Sequence, residues 1–342
     1  MTNLDLSNKT FGPIEEIVLL GGGKFLTTLC MWAKSNGLPI KVVTSPRHAE
    51  ETIEGFKLIE FLNEEKIVHL IVDDISVHSV KTFIGNSSKT FFLSLGAAWI
   101  FKPSLISEYF KDHLFNLHGT RLPQNRGGGG FSWQILTGNR FGFCVLHLID
   151  GGVDTGDIVC FDEFLYPPTC RKPIDFQKIS IEKNFSFVVD FISKHRSSEC
   201  PLNSIKQQEY LSSSWPRLNA NINGWIDWSM DASELDRFIC AFDDPYCGAQ
   251  TLLNNRIVHL KSSAINRQDA VFHSFQAGLV YRKGKHWLCI CVKDCSIVVE
   301  EIYDEHGNNI FDDVRVGDRF ITPVANLESS RSRPVYTPTG LL

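Results

Sequence analysis

The sequence predicts an α/β protein in two parts: a Rossmann-like, mostly parallel sheet in an N-terminal domain, and a smaller β-rich, barrel-like C-terminal domain. Three observations carry this. Short β-branched and aromatic runs alternate with helical patterns through the first half, as strands buried on both faces require. A stretch rich in Ser, Pro, Asn and Gln, Arg196–Asn223, interrupts that texture. From Thr251 to about Pro323 short alternating strands follow, with turns at Asn254-Asn255 and His306-Gly307-Asn308. At 342 residues the chain has the length of two ordinary domains. The boundaries drawn are 1–198, a linker at 199–224, a second domain at 225–328 and a loose tail at 329–342.

The elements follow in order. Ile17–Leu20 reads as a buried strand, then Gly21–Gly23 and a helix through Lys34. Ile40–Thr44 is a second strand, and a helical stretch from Glu50 to Asn63 leads to a third, Ile67–Val72. Thr90–Leu95 and Leu114–His118 are the fourth and fifth, and Cys144–Ile149 and Ile158–Glu163 are a following pair. Pro173–His195 is helical, with Phe176, Ile179, Ile181, Phe185, Val188, Val189 and Ile192 on one broad face. In the second domain Asp231 and Glu234 form a D-x-x-E cap, and Leu235, Phe238, Ile239 and Phe242 follow at helical spacing.

Composition excludes several classes. The net charge is −5, so no general basic surface attracts nucleic acid. No apolar run reaches the ~18 residues of a membrane span. The N-terminus, MTNLDLSNKTFG, is polar and not a signal peptide, so a reducing cytoplasm is the expected compartment. The ten cysteines then need not pair. Cys289, Cys291 and Cys295 have no second Cys/His cluster beside them, and no metal is expected.

Two glycine-rich stretches invite a phosphate reading. Gly21-Gly22-Gly23-Lys24 lies between a strand and a helix but matches neither the G-x-x-x-x-G-K-[ST] nor the G-x-G-x-x-G spacing. A tight strand-to-helix turn explains it better. The second, in FNLHGTRLPQNRGGGG (Phe115–Gly130), lacks cradle spacing too; its glycines suit a backbone turning closely past a bound ligand. Asn116 and His118 alternate onto one face at a strand's carboxyl end, where open α/β sheets hold their ligands. Against that stands a strand-end histidine bonded to backbone. Asp154, in GGVDTGD between two strands, reads either as a turn acid or as a partner that orients a histidine and raises its pKa.

NLHGTRLPQNRG, followed 36 residues after its histidine by DTGD, resembles the folate-dependent formyltransferases. Their signature is an N-x-H strand end, a loop ending L-P-x-x-R-G and a D-x-G-D loop. Trp225–Leu260 is similar to the C-terminal domain of the methionyl-tRNA and sugar-nucleotide members. The resemblance implies formyl transfer from N10-formyltetrahydrofolate to a primary amine. His118 would be the general base, Asp154 would hold and polarise it, and Asn116 would bond the oxyanion. The pterin would lie against Ala98, Trp99 and Ile100 and against the loop of Asp150, Gly151, Gly152, Val153 and Asp154. Trp99 equally suits plain core packing. Arg121 stands where the family has leucine, and Gly128 where it has a small or basic residue.

The acceptor is read from charge. The tRNA-acting members carry a basic insertion after the second strand; here Thr44–Glu51 is not basic. Residues 225–342 hold 12 Lys and Arg against 16 Asp and Glu, a net of −4. Gripping RNA requires neutralising phosphates. The charge speaks against tRNA, and SSWPRLNANINGWIDWS (Ser213–Ser229) is similar to the linker of the sugar-acting members, so the resemblance implies a nucleotide-linked amino sugar of the kind used in surface polysaccharide such as O-antigen lipopolysaccharide, with no nucleic acid or membrane. The alternatives are a methionyl-tRNA formyltransferase and an inactive folate- or sugar-nucleotide-binding module. Family habit makes a homodimer the assembly to look for.

Overall fold

A computed structural model describes residues 9–85, 87–128 and 130–342. Residues 1–8, which hold most of the polar N-terminal segment, and Gly129 of the four-glycine run lie outside the described residues.

The apolar runs become the strands of one sheet. They are β1 (Glu16–Gly21), β2 (Ile40–Thr44), β3 (Val68–Ile71), β4 (Thr90–Leu95), β5 (Leu114–His118), β6 (Phe141–Leu148) and β7 (Ile158–Leu165). Their spatial order is β7-β6-β5-β4-β1-β2-β3. The pairs among β1 to β5 are parallel, and β6 pairs antiparallel with both β5 and β7. The mostly parallel sheet expected from the sequence is thus present. Its order reverses between β1 and β4, and ligands enter such sheets beyond the carboxyl ends at that point. The approach there is close: at Gly21 (φ +131) an added Cβ would lie 2.2 Å from the Leu95 carbonyl oxygen. The triple glycine therefore opens with a steric requirement of the turn.

Helices cover both faces. On one side α1 (Lys24–Ser35) and α6 (Pro173–Arg196) pack on Ile17, Leu19, Phe91 and Phe115. On the other, α3 (His78–Ile84) and α4 (Pro103–Phe110) cover Val18, Leu20, Val43 and Phe92. Further helices in this part of the chain include the short Pro46–Ala49, α2 (Leu58–Glu64) and α5 (Phe131–Thr137). The buried stripe of α6 differs from the expected one. Ile181, Phe185 and Val189 are only half buried, while Ser180 and Asn184 are buried and bonded to each other at 2.9 Å. That bond gives the amide N–H an acceptor where apolar periodicity predicts neither residue, while Asn184 Oδ1 stays buried without a partner.

In the C-terminal part lies α7 (Ala232–Ala241), capped as expected: Asp231 accepts from the Ser233 and Glu234 N–H groups at 2.8 and 2.9 Å. The strands there are β8 (Ala249–Leu253), β9 (Arg256–Asn266), β10 (Val280–Lys283), β11 (Leu288–Cys291), β12 (Ser296–Asp304) and β13 (Phe320–Ile321). They form an antiparallel sheet in the order β10-β11-β12-β9-β8-β13. An antiparallel bridge between Leu279 and Arg319 joins its two ends, curling it toward a barrel. Cys289, Cys291 and Cys295 are buried in this domain.

Two segments are more ordered than the sequence suggests. Within the 199–224 linker, Cys200–Leu202 pairs with Lys9–Phe11, and Ser214–Trp215 pairs in parallel with Arg126–Gly127. Within the tail, Tyr336–Thr337 pairs with Gly340–Leu341, and the Asn223 side-chain amide donates to the carbonyls of Ser330 and Ser332. Composition predicts a loose tail; backbone pairing and the Asn223 clamp hold it instead.

Candidate functional site

The carboxyl end of β5 supplies the first two groups. Leu114 and Phe115 are buried in core, and the next three residues are half buried as the strand leaves the sheet. Asn116 and His118 face the same way by alternation. The third group, Asp154, lies in the loop joining β6 to β7 with φ +53, a left-handed conformation that Asp tolerates. Folding brings the three together. The Asn116 amide donates to Asp154 Oδ1 at 3.3 Å, and His118 Nδ1 lies 3.6 Å from Asp154 Oδ2.

A fourth group joins them. His147 on β6 is the ladder partner of Asn116. Its Nδ1 lies 2.8 Å from the Leu148 carbonyl oxygen, so Nδ1 carries a proton. Its Nε2 lies 3.0 Å from Asn116 Nδ2 and 3.4 Å from Asp154 Oδ1. Sequence reasoning misses it, because only the register of an antiparallel pair puts His147 opposite Asn116.

Two loops steady Asp154. The Gly127 N–H donates to Oδ2 at 2.8 Å, so the glycine loop after β5 touches the carboxylate directly. From the linker, the Gln207 amide donates to the carbonyls of Asp154 and Gly156 at 2.8 and 2.7 Å. Gln207 in turn accepts from Arg126 Nε at 3.1 Å, and Arg126 pairs with Glu209 at 2.8 Å. Arg126 itself is buried, so its charge needs these partners.

The electrostatics separate the two partners of the His118–Asp154 pair. Burial raises the carboxyl pKa of Asp154. The contact with His147, attraction to His118 and His147 whenever these rings are protonated, and the Gly127 N–H more than offset this and hold it at about 2. Burial lowers His118 below its ordinary 6.5, against the raising influence of Asp154 and of the Asn125 carbonyl. The ring is neutral at pH 7 and able to take a proton. Its Nε2 contacts the Asn125 carbonyl oxygen at 2.7 Å and Thr120 Oγ1 at 2.8 Å.

The expected ligand wall is mixed. Trp99 is buried among Val18, Leu20 and Phe110, and its indole N–H donates to the Asp73 carbonyl at 3.0 Å, so its side chain is core. Ala98 is half buried and Ile100 is exposed. Asp150, Gly151, Gly152 and Val153 are exposed; Asp150 accepts from the Gly152 N–H at 2.9 Å and from the Thr155 hydroxyl, which shapes the loop. A Cβ at Gly151 would lie 2.9 Å from Pro103 Cγ, so this loop and the segment after β4 are neighbours. Among the described residues no group of three or more His, Cys, Asp or Glu side chains is arranged to hold a metal ion. No helix of these residues is long and apolar enough to cross a membrane.

Known proteins resemble this arrangement at three levels. Residues 220–311 match the formyl transferase C-terminal domain. The methionyl-tRNA formyltransferase of Desulfotalea psychrophila is 27% identical over 190 residues, covering 56% of each chain. That of Clostridium novyi is 26% identical over 200 residues, 58% of this chain and 62% of the relative. The match thus spans little more than half the length of these relatives. Among solved structures, WlaRD, a sugar 3N-formyl transferase determined with dTDP and 5-N-formyl-THF, has a TM-score of 0.60 at 20% identity, over 84% of this chain and 98% of that one. An N-formyltransferase from Helicobacter canadensis, in complex with folinic acid and dTDP-3-aminofucose, has a TM-score of 0.60 at 17% identity, over 85% and 100%. The structural likeness is one of fold. Its C-terminal domain match, related sequences and shared fold thus make the chain similar to the formyltransferases.

Proposed function

We propose that this chain transfers the formyl group of N10-formyltetrahydrofolate to the primary amine of a nucleotide-linked amino sugar. The observation that carries the reading is the meeting of Asn116, His118 and Asp154 at the carboxyl ends of the strands, with a carboxylate held charged beside a neutral imidazole. Exposed apolar Ile100 and Val153 lie on two segments that approach each other at Pro103 and Gly151, which suits a flat heteroaromatic ring.

In this reaction the acceptor amine attacks the formyl carbon, a C–N bond forms and negative charge develops on the formyl oxygen. The Asn116 amide donates to that oxygen once it releases one of the two acceptors it bonds in the resting site, Asp154 Oδ1 or His147 Nε2. His118 takes the proton leaving the attacking nitrogen. For this, Nε2 must release the Asn125 carbonyl and turn its lone pair to the amine, with the Nδ1 proton toward Asp154. Asp154 stabilises the imidazolium that results. Collapse breaks the bond to N10, and the proton held by His118 goes to the departing nitrogen.

The acceptor reading is supported by the acidic balance of residues 225–342, 12 Lys and Arg against 16 Asp and Glu. The related sequences are methionyl-tRNA enzymes, which makes charged initiator tRNA the competing acceptor. A mass-shift assay with N10-formyltetrahydrofolate, a panel of amino-sugar nucleotides and charged initiator tRNA separates the two. Turnover of tRNA with none of the sugars refutes the sugar reading. His118→Ala is expected to lower kcat by about 10²–10⁴ with folate still bound.

A further inference from the structure

Beside the crevice lies a cluster that the proposed chemistry does not use. Arg47 and Arg217 both lie over the ring of Tyr336, at 5.5 and 4.8 Å from guanidinium carbon to ring centroid. The cluster touches both glycine loops. A Cβ at Gly22 would lie 2.8 Å from His48 Cβ, and one at Gly128 would lie 2.5 Å from Arg217 Cα. Gly127, next to Gly128, is the residue whose N–H holds Asp154.

The polar groups here are short of acceptors. Arg47 Nη2 lies 3.1 Å from His48 Nε2. A guanidinium can only donate, so His48 Nε2 accepts and its proton sits on Nδ1. His48 is 7% exposed, and its Nδ1 and Arg47 Nε are both buried without a hydrogen-bond partner. Burial and the two arginines push the His48 pKa down to about 4, so no further proton is bound at pH 7. Glu51 is within electrostatic reach of both guanidiniums, yet among the described residues neither forms an ion pair with a carboxylate. Two like charges thus converge with two buried N–H donors, His48 Nδ1 and Arg47 Nε, that find no acceptor, an arrangement that an oxygen-rich anion completes.

We propose that Arg47, His48 and Arg217, roofed by Tyr336 of the C-terminal hairpin, form an anion site that takes the diphosphate of a nucleotide-linked acceptor. The ligand's identity rests on the amino-sugar nucleotide reading above. The Tyr336 ring holds the two guanidiniums against their mutual repulsion before the anion arrives. The hairpin is anchored for this role: the Arg47 N–H donates to the Pro338 carbonyl at 3.0 Å, and the Asn219 amide donates to Tyr336 Oη at 3.1 Å.

Calorimetric titration of the full chain with inorganic pyrophosphate and with dTDP tests the site without turnover. Wild type is expected to bind both, dTDP more tightly. Arg217→Met, at an exposed position, and Arg47→Met should each weaken binding of both by about 10-fold or more, as loss of a charge-assisted contact predicts. A matching urea midpoint for Arg217→Met and wild type guards against misfolding. No binding by wild type, or unchanged affinity in both variants, overturns the site. Equal affinity of wild type for pyrophosphate and dTDP assigns it to a free phosphate species and overturns the nucleotide ligand. Because the readout is binding, a chain that formylates no amino sugar yet loses dTDP affinity on Arg217→Met leaves the anion site standing. One that formylates while both variants bind dTDP normally leaves only the formylation reading.

Discussion

Gly128→Ala tests how tightly the glycine loop is clasped. A Cβ at Gly128 would lie 2.5 Å from both Arg217 N and Cα, where ordinary contact begins at 3.4 Å. Backbone cannot swing aside as a side chain does, so the two segments must part by roughly 1 Å. That parting strains the bonds joining them: Gly128 N–H to the Trp215 carbonyl at 2.8 Å and Arg126 N–H to the Ser213 carbonyl at 2.9 Å. At about 0.5–1.5 kcal/mol each, losing both costs about 1–3 kcal/mol. Gly130→Ala is the internal control, since its φ is −54° and nothing lies within 4 Å of an added Cβ. It should be neutral or slightly stabilising, because alanine narrows the unfolded ensemble. Urea unfolding of the two variants and wild type at pH 7 gives the comparison. A Gly128→Ala protein as stable as Gly130→Ala would refute the reasoning.

The site itself yields two further outcomes. NMR titration of the His118 ring, assigned by its loss in His118→Ala, should give a midpoint below 6.5, since burial outweighs Asp154. In Asp154→Asn the raising influence of the carboxylate is gone, so the midpoint should move lower still; an upward move contradicts the assignment. Gln207→Leu should free the Asp154 and Gly156 carbonyls and lower kcat about 10-fold while folate affinity holds, since misplacing a group by ~1 Å costs up to 10² in rate. A rate equal to wild type would deny the linker any part in positioning Asp154.

The central strands were legible because their sequences are mostly apolar and β-branched or aromatic, and α7 because its capping pair, Asp231 and Glu234, lies within one turn of sequence. Asn116, His118 and Asp154 were legible as candidates because strand ends and turn loops announce themselves within a few residues. What eludes sequence reading is long-range. His147 acquires its place from a cross-strand register, and Gln207 from a segment whose Ser- and Asn-rich composition suggests only a spacer. Trp99 illustrates the converse: an aromatic at a strand end fits a ligand wall or a core, and only its bond to Asp73 distinguishes them. The glycines at 127 and 128 read in sequence as letting backbone pass a ligand; the backbone they pass is that of Trp215 to Arg217.

The course of residues 199–217 bears on how such a protein can be divided. A gene fusion that joined the first 198 residues to a foreign second module would leave behind the Gln207 clasp and the strand that pairs with Arg126 and Gly127. Recombination at that seam would yield a protein whose Asp154 loop is unlatched, although Asn116, His118 and Asp154 are all retained. A crossover placed after Arg217 would carry the clasp along. The segment needed to hold the Asp154 loop therefore runs past the sheet, into what looks like a spacer.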